Sequence, residues 1–390
     1  MSRYIWQRPD WPHWRWSEAT LTPAISAVQR KRDFLAGLAR GLDADHLNLA
    51  ITELMTAETV STSAIEGVKL DADEVRSSII MRRLGLGASE QNIDRLSPSA
   101  KGVIDVLADS TQNLEPLTLK RLFAWHEAIL PSGRSGLSLI LVGMLRSEEP
   151  MQVLSAPIGR ERAHYEAPPR DRLDVDMDAF LRWFDNPKGL DNTLRASIAH
   201  LWFETLHPFE DGNGRLGRAV FDLALAQGAS FHSARTSRLW AVSPVILKKR
   251  KEYYAQLETA QKGNLDVTAW LEWSVASVAH ACDEARICIE RVVRVAQFWT
   301  RHRETPFNLR QRHLLEIALA SNEEADAWLT AKRAARVTKV ERVTASRDLS
   351  RLEELGVIEK DPSAGGRSTR YRVRLEGPGP LQLIKQIEWS

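Results

Sequence analysis

His207-Pro208-Phe209-Glu210-Asp211-Gly212-Asn213-Gly214-Arg215-Leu216-Gly217-Arg218 places an imidazole, two carboxylates, three glycines and two guanidinium groups within twelve residues. Before it, Leu194, Ile198, Leu201, Trp202 and Leu206 recur at the spacing of a buried helical face. After it, Val220, Phe221, Leu223, Ala224 and Leu225 continue that pattern until Gly228, a stop signal. The stretch therefore joins two helices over Thr193–Leu206 and Leu216–Gln227. A chain that enters a helix through Gly-x-Gly turns backbone N–H groups outward at the positive end of the helix dipole, which makes an anion site. Arg215 and Arg218, three apart on the first turn, reach the same anion as a fork. Asp211 opposes a bare phosphate and makes sense only with a hard cation such as Mg²⁺ bridging it to phosphate oxygens. His207, with an ordinary pKa of about 6.5, is mostly neutral near pH 7 and can take a proton. Together these groups describe phosphoryl or nucleotidyl transfer. A competing reading puts a metal on His200, Glu204 and His207, at i, i+4 and i+7 of one helical face. It leaves the glycines and arginines without a use.

The twelve residues resemble the signature of Fic-domain proteins, His-Pro-Phe-x-[Asp/Glu]-Gly-Asn-Gly-Arg-x-x-Arg, at every fixed position. The resemblance implies transfer of AMP from Mg·ATP to a Ser, Thr or Tyr hydroxyl of a protein, the protein itself included. It implies His207 as the base, Asp211 as the Mg²⁺ ligand, and Gly212, Asn213, Gly214, Arg215 and Arg218 around the ATP phosphates.

Two halves of a regulatory reading lie upstream. A helix from about Asp45, read as its N-cap, to Gly67 ends in Thr62-Ser63-Ala64-Ile65-Glu66-Gly67. A carboxylate at the negative end of a helix dipole is disfavoured by roughly 0.3–1 kcal/mol, so Glu66 needs a cationic partner. The stretch resembles the Fic inhibitory motif [Ser/Thr]-x-x-x-Glu-[Gly/Asn], matched by Thr62, Glu66 and Gly67. That resemblance implies that Glu66 pairs with Arg218 and obstructs seating of the ATP γ-phosphate. Between the two motifs, Val142–Arg146 and Met151–Ser155, with a proline exit at Pro168 and Pro169, read as a hairpin. It is similar in position to the Fic flap, which holds a target peptide by strand addition. That likeness places Val153, Leu154, Ser155 and Ala156 against the nucleotide. Tyr253 and Tyr254, with Gln261 seven residues on, resemble the adenine-side pocket of the family, the amide there being Gln in place of Asn.

Length and composition agree with an ordinary globular chain. The 390 residues leave room for two or three domains, with 43% hydrophobic and 27% charged residues. A formal net charge of +2 predicts no global attraction to polyanions. Cys282 and Cys288 lie in one helical segment and build no disulfide framework, which fits a reducing cytoplasm. No signal-peptide run and no membrane-length apolar stretch is present, so a cytoplasmic, non-membrane protein is expected.

The expected architecture is mostly α: a Fic helical bundle with a small β-hairpin flap, plus a C-terminal winged helix. The N-terminal domain spans 1–95. It opens with Trp6, Trp11, Trp14 and Trp16, which read as core packing, and it resembles the small domain of unknown function that accompanies many bacterial Fic proteins. Helices follow over Ala24–Leu42, Asp73–Leu84, Ala100–Asp109 and Thr118–Leu130. The Fic core spans 96–300, a linker 301–307, and the last domain 308–390. Helices Leu309–Ala320, Leu329–Val337 and Val343–Leu355 precede a hairpin from Val357–Lys360 to Tyr371–Val373 and resemble a winged helix-turn-helix. From Thr330 to Arg374 there are 12 Lys/Arg against 6 Asp/Glu. That asymmetry suits DNA phosphate contacts from Arg347, Arg351, Arg367 and Arg370. Two alternatives to autoinhibited AMP transfer follow. One is removal of AMP from a modified target at the same site. The other is a DNA-binding regulator whose Fic core senses nucleotide. A homodimer also fits, and the target protein is not legible.

Overall fold

A computed structural model describes residues 3–83, 96–155, 162–187, 189–228, 239–320, 328–366 and 369–375. The chain is mostly helical and divides into two compact units, Met1–Ile289 and Glu290–Ser390.

The first unit is arranged around α7 (Asn192–Leu206), every residue of which from Thr193 onward is buried. An all-round apolar helix must be covered on every side, and α8 (Asn213–Gly228) supplies its most extensive cover. Leu201, Leu206, Leu216 and Leu223 are fully buried between them. Truncating such a side chain to Ala costs about 2–5 kcal/mol. Further cover comes from α4 (Pro98–Gln112) and α5 (Leu119–Ile129) on the α8 side and from α6 (Arg170–Asp185) against α7. The Trp-rich start packs as core. Trp11 and Trp14 lie edge-on to Trp202 of α7 at 5.8 Å, and the Trp6 indole donates to the Glu166 carbonyl. It is followed by α1 (Glu18–Arg40), six residues longer at its N-terminal end than expected because Ser17 caps it.

The helix that carries the upstream motif is α2 (Ala44–Ile65). Asp43, two residues before the expected Asp45, is its N-cap and accepts from the His46 N–H at 2.8 Å. Its C-terminus closes as a Schellman motif: Val68 N–H donates to Ser63 O and Gly67 N–H to Ala64 O, both at 3.0 Å. Gly67 takes φ +82° there, and Glu66 is left as the last side chain at the helix end. Helix α2 packs on α3 (Ala72–Arg83) and α9 (Ser243–Lys248), and α9 leads into α10 (Arg250–Gln261).

The expected hairpin is present with different strands. β3 (Gln152–Ser155) pairs antiparallel with β4 (Arg162–Glu166), with an irregularity between Val153 and Leu154. Val142–Arg146 is not a strand, because its backbone groups are committed elsewhere: Gly143 N–H to His126 and Arg146 N–H to Pro208 O. A smaller pair, β1 (Arg134–Ser135) and β2 (Ser138–Leu139), precedes it.

The unit boundary falls within α11 (Thr268–Arg301). In the second unit α12 (Leu309–Ala320), α13 (Ala331–Thr338) and α14 (Arg342–Glu354) precede the hairpin of β5 (Ile358–Lys360) and β6 (Tyr371–Val373). Its core gathers Phe298, Leu314, Leu315, Leu349, Leu352 and Val357. The segment 301–307 joins α11 to α12 within this unit.

Candidate functional site

The α7–α8 connection is closed by its own side chain. Asn213 accepts from the Phe209 N–H at 3.0 Å and donates to the Phe209 carbonyl at 2.7 Å, so the amide shapes the loop. Gly212 takes φ +80°, and a Cβ there would lie 2.9 Å from the Ile129 side chain. His207 is the C-cap of α7 in the left-handed region, φ 47° and ψ 58°. For a non-glycine residue this costs roughly 1–3 kcal/mol. The ring is partly buried, its side chain 17% exposed, with Nδ1 3.4 Å from the Glu204 carbonyl and 3.9 Å from the Glu204 carboxylate. Burial, reinforced by Arg146, pushes its pKa down to about 4, so the imidazole is neutral at physiological pH and free to accept a proton.

On the first two turns of α8 sit the two arginines. Arg218 is 3% exposed, donates from Nε to Thr62 Oγ1 at 2.7 Å and from Nη2 to Thr62 O at 3.1 Å, and meets Glu66 Oε1 at 2.7 Å. Burial works against its charge, and Glu66 more than offsets this, so its pKa lies above the ordinary arginine value. Its Nη1 has no partner among the described residues. Gly214 lies against the Glu66 carboxylate: a Cβ there would be 2.4 Å from Oε1. Arg215 is largely buried, its pKa lowered by that burial, with Nη2 4.0 Å from Asp211 Oδ1. Glu66, Thr62, Gly214, Arg215, Arg218, Asp211 and His207 thus meet at one place, although some 140 residues separate the two motifs.

The remaining expected residues divide. Tyr253 is core, its hydroxyl 2.8 Å from His200 Nε2, whereas Tyr254 is 41% exposed and lies tilted against the Tyr253 ring, centroids 5.1 Å apart. Gln261 is buried and donates to the Glu204 carbonyl at 3.1 Å, fixing the end of α7. Val153 packs with Tyr4 and Tyr165. Leu154 and Ser155 lie on β3 opposite Ala163 and Arg162, and Ala156 lies outside the described residues. The competing metal reading fails: His200 is turned to Tyr253, and among the described residues no group of three His, Cys, Asp or Glu side chains is placed to hold an ion.

Three residues of the site were not singled out from sequence, and a fourth, Glu204, was singled out only as a metal ligand. Glu204 is buried under Gly217, whose Cβ would lie 2.5 Å from Oε1, and burial pushes its carboxyl up to about 8. His126 stacks on Phe209 at 4.2 Å, accepts at Nδ1 from Gly143 N–H, and so donates from Nε2 to Asp211 O at 3.1 Å. Glu210 accepts from the backbone N–H of Leu141 and Ser147, and Arg146 donates to the His207 carbonyl. All four touch partners distant in sequence or main-chain atoms, which no local motif encodes. Only the spacing of Glu204 from His200 and His207 gave a sign, and it was spent on the metal reading.

Residues 116–225 match the Fic/DOC family. Residues 4–86 match a domain of unknown function, DUF4172. The chain is similar to a probable protein adenylyltransferase of Aquifex aeolicus, 23% identical over 220 residues, which are 55% of this chain and 57% of the relative. It is also similar to a uridine 5'-monophosphate transferase of Xanthomonas campestris, 26% identical over 161 residues, 39% of this chain and 29% of that one. The match therefore spans little more than half the length of the first relative and less of the second. Among solved structures, a Fic family protein from Desulfovibrio desulfuricans superposes with a TM-score of 0.50 at 22% identity, covering 92% of this chain and 98% of that one, which shows a shared fold. The Fic segment contains α5, both hairpins, α6, α7 and nearly all of α8, and so every group of the loop. Thr62 and Glu66 lie outside it, in the segment matched by the other model. No helix among the described residues is long and apolar enough to cross a membrane.

Proposed function

We propose that this protein is an autoinhibited protein adenylyltransferase that moves AMP from Mg·ATP to a hydroxyl group of a protein. The observation that carries this reading is the meeting of Glu66 with Arg218 at the mouth of a complete anion loop. ATP lies with its phosphates over Gly212 and Gly214. Arg215 and Arg218 receive the charge that develops on them, and Tyr254 offers an open ring to the base. His207 accepts the proton of the attacking hydroxyl, which bonds to the α-phosphorus as pyrophosphate leaves. The target lies along β3. Asp211, a single partly exposed carboxylate, suits Mg²⁺, a hard cation held by one or two carboxylates together with substrate phosphates and water; when bound it neutralises phosphate charge.

Glu66 occupies the guanidinium that the γ-phosphate needs, so inhibition is competition for Arg218. Incubation with labelled ATP and Mg²⁺ tests this: Glu66→Gly raises self-labelling by roughly 5- to 150-fold. Equal labelling of wild type and Glu66→Gly overturns the inhibitory reading. The uridylyl relative makes the nucleotide itself a question for experiment, and labelled UTP run beside ATP answers it. Release of AMP from a modified target by the wild type, with no forward labelling by Glu66→Gly, favours the reverse reaction. We further propose DNA as the partner of the second unit. Arg347 is exposed on α14, Arg351 and Arg370 are engaged with Glu354 and Asp361, and Arg367 lies outside the described residues. Salt-dependent duplex binding by the full chain supports the proposal, and none at low salt ends it.

A further inference from the structure

Arg146 is 2% exposed, in the segment between α5 and the β3–β4 hairpin. Its described acceptors are main-chain carbonyls: Nε donates to His207 O at 3.0 Å and Nη2 to Pro168 O. Its own N–H donates to Pro208 O at 2.9 Å. One buried cation thus grips the main chain at the left-handed cap residue and just beyond β4, and the residue's own backbone N–H holds the next residue. Burying a guanidinium is costly, and lysine, with one ammonium, cannot serve two carbonyls in a fixed fork. A neutral side chain would pack the same space at less cost, so the charge itself has a use.

We propose that Arg146 is the positioning residue of this site, a clamp that holds His207 in its left-handed conformation, ties the β3–β4 hairpin to it, and places a fixed positive charge beside the imidazole. The clamp fixes where the imidazole points relative to a hydroxyl laid along β3. The charge disfavours protonation of the ring and so keeps a neutral base available. The other charged or titratable groups facing His207 are Glu204 on α7, Glu66 at the end of α2 and Asp211 in the loop. The two carboxylates Glu66 and Asp211 pull the imidazole toward protonation, and Arg146 opposes them. The positioning role rests on the reading of His207 as the base, whereas the electrostatic role does not.

The test is heteronuclear NMR of the full chain with labelled histidine, following the His207 ring in wild type, Arg146→Lys and Arg146→Met, with His207→Gln to assign the signal. Expected is a wild-type ring that stays neutral from pH 8 down to about 5, an unchanged midpoint in Arg146→Lys, and a midpoint raised by about one unit or more in Arg146→Met. A role confined to packing moves neither, and an unshifted midpoint in folded Arg146→Met overturns the proposal. Should Arg146→Met not fold, Arg146→Lys in the Glu66→Gly background decides: kcat falls roughly 10- to 100-fold with KM for ATP within about twofold. Full kcat in that variant overturns the clamp. If no variant, Glu66→Gly included, labels with any nucleotide, the transferase reading fails while the His207 titration still judges Arg146.

Discussion

Buried charge is handled in opposite ways in the two units. In the second, Asp348 on α14 accepts from Arg310, Asn308 and Gln311, and Asp361 accepts from Ser363 and Arg370. These carboxylates are satisfied and their pKa values are lowered, to about 2 for Asp361 through the Ser363 hydrogen bonds and Arg370. Beneath the α7–α8 loop, Glu204 Oε1, His200 Nδ1, Arg215 Nε and Arg218 Nη1 are buried with no partner among the described residues, and the carboxyl and imidazole pKa values run away from their ordinary ranges. Proteins seldom leave such atoms unpaired, and where four gather in one place something other than stability holds them there. One network serves the fold, and the other is the one on which the proposed transfer chemistry rests.

The sharpest break in that comparison separates activity from stability. In the Glu66→Gly background, His207→Ala lowers labelling about 10²- to 10⁴-fold while moving the denaturation midpoint little, since the partly exposed ring gives up only a 3.4 Å contact to the Glu204 carbonyl. Asp348→Ala does the reverse: labelling persists, and stability falls by about 1.5–3 kcal/mol as charge-assisted hydrogen bonds go, measured by urea unfolding of the full chain.

Acidity gives the next break, with opposite signs. Glu204 has a folded-state value near 8 against an ordinary 4.5, so the folded chain holds a proton that the unfolded chain releases. Stability from this group is full below about 4.5 and declines as pH rises to about 8. Glu204→Gln removes the decline: its melting temperature matches wild type near pH 4.5 and exceeds it increasingly toward pH 8. His207 acts oppositely, its contribution being complete above the ordinary 6.5 and lost as pH falls toward 4. Asp361, with a folded value of about 2 against 3.8, contributes stability above 3.8 that is lost as pH falls through 2, so Asp361→Asn costs stability at pH 7 and little at pH 2. Identical pH slopes for Glu204→Gln and Asp361→Asn would erase the distinction between the units.

How much of this was legible depends on distance along the chain. The loop, α7 and α8 were readable because apolar periodicity, two glycine stops and twelve contiguous residues carry the information locally. The end of α2 was readable for the same reason, since Glu66-Gly67 announces a helix end with a misplaced carboxylate. Strand β4, Arg-Ala-His-Tyr-Glu, has no clean alternation, and its Tyr165 packs on Tyr4 at 5.2 Å, a partner far upstream in sequence. Arg146 and Glu204 look like surface residues until the main chain returns over them. A buried ionisable group is visible in sequence only when its partner is close by, and theirs lie on other elements or on the backbone.

The smallest effect tests the finest division within the site, between two adjacent tyrosines. Tyr253 is buried with its hydroxyl on His200, and Tyr254 offers an exposed ring backed by Tyr253 and faced by Arg250 at 5.6 Å. If the exposed ring meets a nucleobase, Tyr254→Ala raises KM for ATP by roughly three- to tenfold, the loss of about one stacking contact, and leaves kcat and the melting temperature almost unchanged. Tyr253→Phe keeps the ring and removes one buried hydrogen bond, so it lowers stability by about 1 kcal/mol with KM unaltered. Because the two residues are neighbours on one helix, a KM effect at Tyr253 equal to that at Tyr254 would mean that the helix as a whole, and not the exposed ring, sets the nucleotide affinity.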